Sequence, residues 1–135
     1  IAGRSGGSRR SVREAIELPK PVEGLITDRF DIRNGNFGVR IAAAASDRIT
    51  AIDNGTVVLS LWTPETGYMV ELQHANNLLS VYKGLSQSLV ATGQTIRAGE
   101  MVGYNAEAEE GEVRLFEFEL WNNGKPVDPE GYIVF

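Results

Sequence analysis

The 135-residue chain has no cysteine and a single histidine, His74. Without cysteine there is no disulfide and no thiolate metal site. One histidine cannot supply the two- or three-histidine sets that hold a catalytic zinc. Carboxylates abound, but an all-oxygen site suits calcium or magnesium, and no D-x-D-x-D-G run is present to build one. The nucleophile elbow G-x-S-x-G is also missing, so a Ser-His-Asp triad through His74 has no second support. His74 closes the stretch "YMVELQH" just before a turn. It is expected to be a hydrogen-bonded structural residue or simply exposed. No apolar run approaches the length of a membrane-spanning helix, and no signal peptide is visible. The chain starts at Ile1 rather than Met, which points to a targeting or tethering segment upstream. Cations are in the minority: 13 Lys and Arg stand against 18 Asp and Glu, a net charge of −5. Residues 1–20 carry five basic groups and two acidic ones, so the remainder holds −8. An acidic body lacks the clustered Lys and Arg that phosphate contacts need, which excludes nucleic acid as the main partner.

The length and the 42% hydrophobic content fit one globular domain. "IAGRSGGSRRS" is rich in Gly, Ser and Arg without periodicity and reads as a flexible linker. "VREAIEL" carries a weak helical pattern that "LPKP" ends, because proline disfavours a helical residue before it. The expected division is a leader over residues 1–20 and a compact domain over 21–135. Within the domain, short strands alternate with turns: "LITDRF", "GVRIAA", "RITAI", "TVVLSLW", "YMVELQH", "LLSVYK" and "RLFEFELW". "TVVLSLW" is expected to be buried. "DNG" reads as a tight turn with Gly55 at positive φ, "ANN" as a hairpin turn, "GLSQSLV" as a short helical turn, and "NNGKPVDP" as the closing turn. The fold class is therefore all-β with little helix.

The last strand, Arg114 to Trp121, raises a chemical question. Alternation puts Phe116, Phe118 and Leu120 on one face and Leu115, Glu117, Glu119 and Trp121 on the other. Glu117 and Glu119 would stand about 7 Å apart. That spacing suits an inverting glycosidase pair. However, two carboxylates on one strand point the same way, whereas a glycosidase pair flanks its bond.

Four stretches taken together are similar to the lysostaphin/LytM-type zinc metallopeptidases, which cut peptide cross-links in peptidoglycan. "PVEGLITDRF" resembles the opening strand of that family. "NFGVRIAAAASDRITAIDNGTVV" resembles its H-x-G-x-D-I-A-A segment followed by V-x-A-x-x-x-G-x-V. "GYMVELQHANNLLSVYKGL" resembles the strand pair ending in Y-x-H-L. "RAGEMVGY" with "RLFEFELWNNGKPVDP" resembles the glycine-rich hairpin and the H-L-H-F-E strand with its G-x-x-x-D-P close. The resemblance runs from about Pro21 to Phe135 and implies a β-sandwich of antiparallel strands, like a duplicated hybrid motif. The family's functional positions are where the likeness stops. Its first ligand histidine falls on Asn36 and its ligand aspartate on Arg40. The catalytic histidine after the tyrosine falls on Gly84, and the histidines of H-L-H fall on Leu115 and Glu117. Glu119 matches the family's glutamate.

The resemblance thus implies a pseudo-peptidase with no zinc, no cofactor and no catalytic residue. Its vacant groove, formed by Asn36, Arg40, Tyr82, Gly84, Leu115, Glu117 and Glu119, is expected to bind a partner. The nearest functional likeness is the EnvC type of murein hydrolase activator, which acts on N-acetylmuramoyl-L-alanine amidases at division. The expected role is regulation of peptidoglycan remodelling in the periplasm or cell envelope of a bacterium. The expected partner is an envelope protein, most concretely such an amidase. A peptidoglycan-binding module without hydrolysis and a structural subunit of an envelope complex stand as alternatives. Two further features bear on the choice. Glu107, Glu109, Glu110 and Glu112 precede the groove strand, where they form either a steering rim for a basic partner or a solvated loop. Aromatics suited to sugar stacking are few in the expected groove, namely Phe37, Tyr82 and Tyr68, and this favours a protein.

Overall fold

A computed structural model describes residues 17–107 and 112–135. The weak helical pattern of "VREAIEL" lies largely outside the described residues, as do Glu109 and Glu110 of the acidic stretch. The strands are β1 (Leu25–Asp28), β2 (Val39–Ala44), β3 (Arg48–Thr50), β4 (Gly55–Thr63), β5 (Gly67–Gln73), β6 (Leu78–Ser88), β7 (Thr95–Ile96), β8 (Met101–Asn105), β9 (Val113–Asn122) and β10 (Lys125–Val127). Helix among the described residues is confined to single 3-10 turns at Ile32–Asn34 and Pro129–Gly131. Every strand pairing is antiparallel, and the main order is β1-β2-β9-β6-β5-β4-β7. Strand β10 adds to β9, while β3 pairs β8 and β8 pairs β6.

The long strand β6 holds this arrangement together. Its first half, Leu78 to Lys83, pairs β9; its second half, Leu85 to Ser88, pairs β8. Between the halves sits Gly84 at φ +88, where the register with β5 also slips by one residue. Such a bulge bends the strand, and only glycine takes that φ without strain. The sheet turns over at this point and encloses one apolar core. Phe116, Phe118 and Leu120 of β9 meet Val39 and Ile41 of β2, Val70 and Leu72 of β5, and Tyr82 of β6. The short strands contribute Ile49, Ile96 and Val102 from the other side. Aromatic rings make the centre: Tyr82 and Phe118 lie edge-on with centroids 5.3 Å apart.

Several expectations need correction. "GLSQSLV" is not helical. Gln87 and Ser88 continue β6 in register with Tyr104 and Gly103, because pairing with β8 outweighs a weak local preference. "TVVLSLW" is a strand but not a buried one: Val57 is buried, whereas Val58, Leu61 and Trp62 are exposed. The cause is topological, since β7 covers the outer edge of β4 at Gly55 and Thr56 alone. The glycine of "DNG" is needed for space rather than for positive φ. A Cβ at Gly55 would lie 2.5 Å from the Gln73 carbonyl oxygen. The "ANN" turn forms as expected, with Asn76 and Asn77 both left-handed at φ near +60. The packed unit also reaches further upstream than Pro21. Leu18 donates its N–H to the Tyr132 carbonyl at 2.9 Å and packs on the core.

Candidate functional site

Strand alternation on β9 turns Leu115, Glu117, Glu119 and Trp121 away from the core. Cross-strand register then sets their neighbours. Glu117 stands opposite Arg40 of β2 on one side and Lys83 of β6 on the other. The Arg40 Nε donates to Glu117 Oε2 at 2.7 Å. Lys83 reaches diagonally instead, and its Nζ donates to Glu119 Oε2 at 2.8 Å. The other oxygen of Glu119 accepts from the Trp121 indole N–H at 2.9 Å. Two separate charge-assisted sets, Arg40–Glu117 and Lys83–Glu119–Trp121, therefore lie side by side across three strands. Its two pairs differ in burial: the Arg40 and Glu117 side chains are 47% and 38% exposed, those of Lys83 and Glu119 only 25% and 14%. The hydrogen bond with Glu117 and then its charge raise the Arg40 pKa above its ordinary value. On β5, burial pushes the Glu71 carboxyl upward, the nearby Glu119 adds to this, and Lys83 opposes it.

These side chains wall a cleft of about 170 Å³ whose opposite rim is the 35–38 turn, with Asn36 and Phe37. A second, larger cleft of about 630 Å³ continues from it past Asn36 and Arg40 along the 26–34 segment. The turn between them is rigidly built. Asp31 and Asn36 exchange backbone hydrogen bonds at 2.9 Å, and the Asn36 amide donates to the Arg29 carbonyl. Arg29 in turn pairs with Glu130 at 2.7 Å. At Gly38 a Cβ would come within 2.2 Å of the Phe118 carbonyl oxygen, so the close approach of the turn to β9 requires glycine.

Of the expected groove residues, Asn36, Arg40, Glu117 and Glu119 converge on one cleft. Leu115, half exposed, extends the same face toward Gly84. Tyr82 does not belong there. It is fully buried among Phe116 and Phe118. Tyr82 and Gly84 would share a face in a regular strand, but the bulge at Gly84 breaks the alternation, and the core residues are 82 and 85. Gly84 itself serves the backbone at positive φ, and the space beside it is bounded by the Leu115 carbonyl. Sequence reasoning missed Lys83. With Tyr82 assigned to the groove, simple alternation turns Lys83 inward, so no signal pointed to it.

His74 is buried and hydrogen-bonded, one of the two expected outcomes. Its Nδ1 meets the Asn54 carbonyl at 2.7 Å and its Nε2 meets Ser80 Oγ at 2.7 Å. Ser80 is 3.1 Å from the Tyr82 hydroxyl, which accepts from the Ile52 N–H. This is a structural relay inside the core, with no nucleophile open to solvent.

The zinc implied by the resemblance finds no fit here. The five matched positions hold Asn36, Arg40, Gly84, Leu115 and Glu117, of which only Glu117 is anionic, and a guanidinium sits on its carboxylate. Among the described residues no group of three or more His, Asp or Glu side chains converges to hold a metal.

The fold and site thus define an antiparallel β domain of metallopeptidase type whose groove carries an ion-pair lattice in place of a ligand set. The sequence profile of peptidase family M23 matches residues 34–129, and the chain belongs to that family. It is 28% identical over 71% of its length to the murein hydrolase activator EnvC of Escherichia coli, covering 23% of that protein. Among solved structures, Csd3 of Helicobacter pylori superposes with a TM-score of 0.77 at 25% identity, over 89% of this chain and 34% of that one. The SpoIIQ–SpoIIIAH pore-forming complex contains a chain that matches at TM-score 0.63 and 25% identity, over 93% of this chain and 77% of that one. The chain spans between 22% and 38% of the length of the first curated relatives it matches.

Proposed function

We propose that this domain is a non-catalytic regulator of peptidoglycan remodelling in the bacterial envelope, and most concretely an activator of a cell-wall amidase. One observation carries the reading. The Arg40–Glu117 pair lies at the centre of the groove, on two of the positions where the resemblance puts metal ligands. A cation placed there opposes metal binding, and with no metal-activated water the family's hydrolysis has no nucleophile. What remains is a formed cleft with a half-exposed apolar residue, Leu115, at one end and charged rims. Such a surface suits a protein segment, with Leu115 as an anchor and the charges setting register. The likeness to a murein hydrolase activator supports the same class. A second reading, a structural subunit of an envelope assembly, draws support from the SpoIIQ–SpoIIIAH likeness, which spans nearly the whole chain. In either reading the partner is an envelope protein and the site of action is the periplasm or its equivalent.

The test is reconstitution with a purified N-acetylmuramoyl-L-alanine amidase and dye-labelled sacculi. The chain alone should release no dye, and added to the amidase it should raise release. Leu115→Asp and Glu117→Arg should each abolish the stimulation while unfolding cooperatively. Release by the chain alone would overturn the non-enzyme reading. Undiminished stimulation by both variants would move the partner off the groove.

A further inference from the structure

Beyond the ion-pair lattice, at the turn end of β9, lies a cleft of different chemistry. Its volume is about 360 Å³ and its lining is Gln73, Asn77, Leu79, Trp121, Asn123 and Gly124. No charged side chain is among them. The indole of Trp121 is held in place: its N–H donates to Glu119 at 2.9 Å, and Phe37 packs with its ring centroid 6.2 Å away. The amides are also held in place. Gln73 Nε2 donates to the carbonyls of His74 and Leu78 at 3.1 Å, which commits its nitrogen and leaves Oε1 without a protein partner. Asn77 Nδ2 donates to Asn123 Oδ1 at 2.9 Å, which leaves Asn77 Oδ1 open. Asn123 Nδ2 makes only a long 3.3 Å contact with Asn122. The cleft thus presents an immobilised aromatic ring, two free acceptors and one weakly used donor, all uncharged.

We propose that this cleft is a saccharide-binding subsite that takes a neutral pyranose ring of a glycan chain. A pyranose carries polarised C–H groups on its face and hydroxyls around its rim. The C–H face meets the negative face of an indole, and the rim exchanges hydrogen bonds with side-chain amides, each of which offers both a donor and an acceptor. A peptide with charged groups would find no counter-charge here and would be better held by the neighbouring lattice. Left-handed turn geometry explains why asparagine is tolerated at 77 and 123, at φ +60 and +54. It does not explain Gln73 or the fixed indole, which lie on strands. The proposal is independent of the groove reading, because it uses none of the groove's charged residues as ligand contacts.

The chain has two tryptophans, so Trp62→Phe leaves Trp121 as the sole indole reporter. In that background, chitotetraose and cellotetraose are titrated while tryptophan emission is followed. A saturable change with either sugar is expected, half-complete at about 1 mM as befits a shallow site. A stronger response to chitotetraose would show that the acetamido group is read as well as the ring. Asn77→Gly with Asn123→Gly removes both amides yet favours the same turn backbone, and should weaken binding about tenfold or abolish it. Leu115→Asp should bind sugar as the parent does, which separates this site from the groove. No saturable change with either sugar would overturn the proposal, as would an unaltered titration in the double glycine variant.

Discussion

The two ion pairs on the groove face make a paired prediction, because the same chemistry sits there at two depths. Arg40→Ala removes the outer pair, whose side chains are 47% and 38% exposed. At that exposure solvent screens the attraction, and the pair contributes about 0–1 kcal/mol. Glu117, once freed, is rehydrated. Lys83→Ala removes the inner pair and leaves Glu119, only 14% exposed, with the Trp121 N–H as its remaining partner. A buried acceptor stripped of a charged donor costs about 1–3 kcal/mol. For a domain of this size roughly 4 °C accompanies each kcal/mol. Arg40→Ala should therefore lower the melting temperature by at most about 4 °C, and Lys83→Ala by about 4–12 °C. Salt offers a second check: at about 1 M the Debye length is near 3 Å, so the Arg40 effect should shrink more than the Lys83 effect. Thermal melts and urea titrations at low and high salt measure both. If Arg40→Ala proved the more damaging variant, burial would not be setting the energetics of this face. The groove centre would then be a structural brace rather than a surface free to bind.

Two further predictions concern titration. Burial lowers the His74 pKa below its ordinary 6.5, because the charged imidazolium is poorly solvated in the core. The stability from neutral His74 is therefore present in full above pH 6.5 and is lost as pH falls through the folded pKa; urea denaturation from pH 8 to 5 should show this slope, and His74→Gln should flatten it. Glu71 has the opposite sign: its raised pKa means that its contribution is favourable below the ordinary 4.5 and is lost as pH rises through the folded value. Glu71→Gln should then stabilise the domain at pH 7 by a few tenths of a kcal/mol, about 1 kcal/mol at most, and the gain should vanish in acid; a loss of stability at pH 7 would contradict the assignment.

Much of the fold was legible because period-two alternation and turn chemistry are local. Phe116, Phe118 and Leu120 could be assigned to the core from spacing alone, and "ANN" to a hairpin turn from residue type. What failed was non-local. Nothing within "TVVLSLW" says that β7 is only two residues long and leaves the rest of β4 at an edge. "GLSQSLV" takes its conformation from β8, which follows it in the chain. Side-chain placement was legible where strands are regular, since Arg40, Glu117 and Glu119 line one cleft as alternation implies. It was misread at Tyr82 because one glycine with positive φ shifts the alternation. The cleft at Trp121 was missed because its members come from two turns and three strands, brought together by the registers of β5 with β6 and of β6 with β9.

The same alternation separates the scaffold of this domain from its outward face. Along β2 and β9, Phe118 faces Val39 and Phe116 faces Ile41 in the core, while Glu117 faces Arg40 outside. A substitution at 115, 117 or 119 leaves the inward side chains untouched, so the core places little constraint on what the outward face carries. The close approach at Gly38 belongs to the backbone packing and persists for the same reason. If the outward face had merely decayed, unpaired charges and mismatched neighbours would be expected along it. Instead, the residues at positions 40 and 117 are of opposite sign, in register, and 2.7 Å apart, and beside them Lys83 pairs with Glu119, which also accepts from Trp121. Residues on three strands that satisfy one another in this way form a surface with a defined shape and charge pattern.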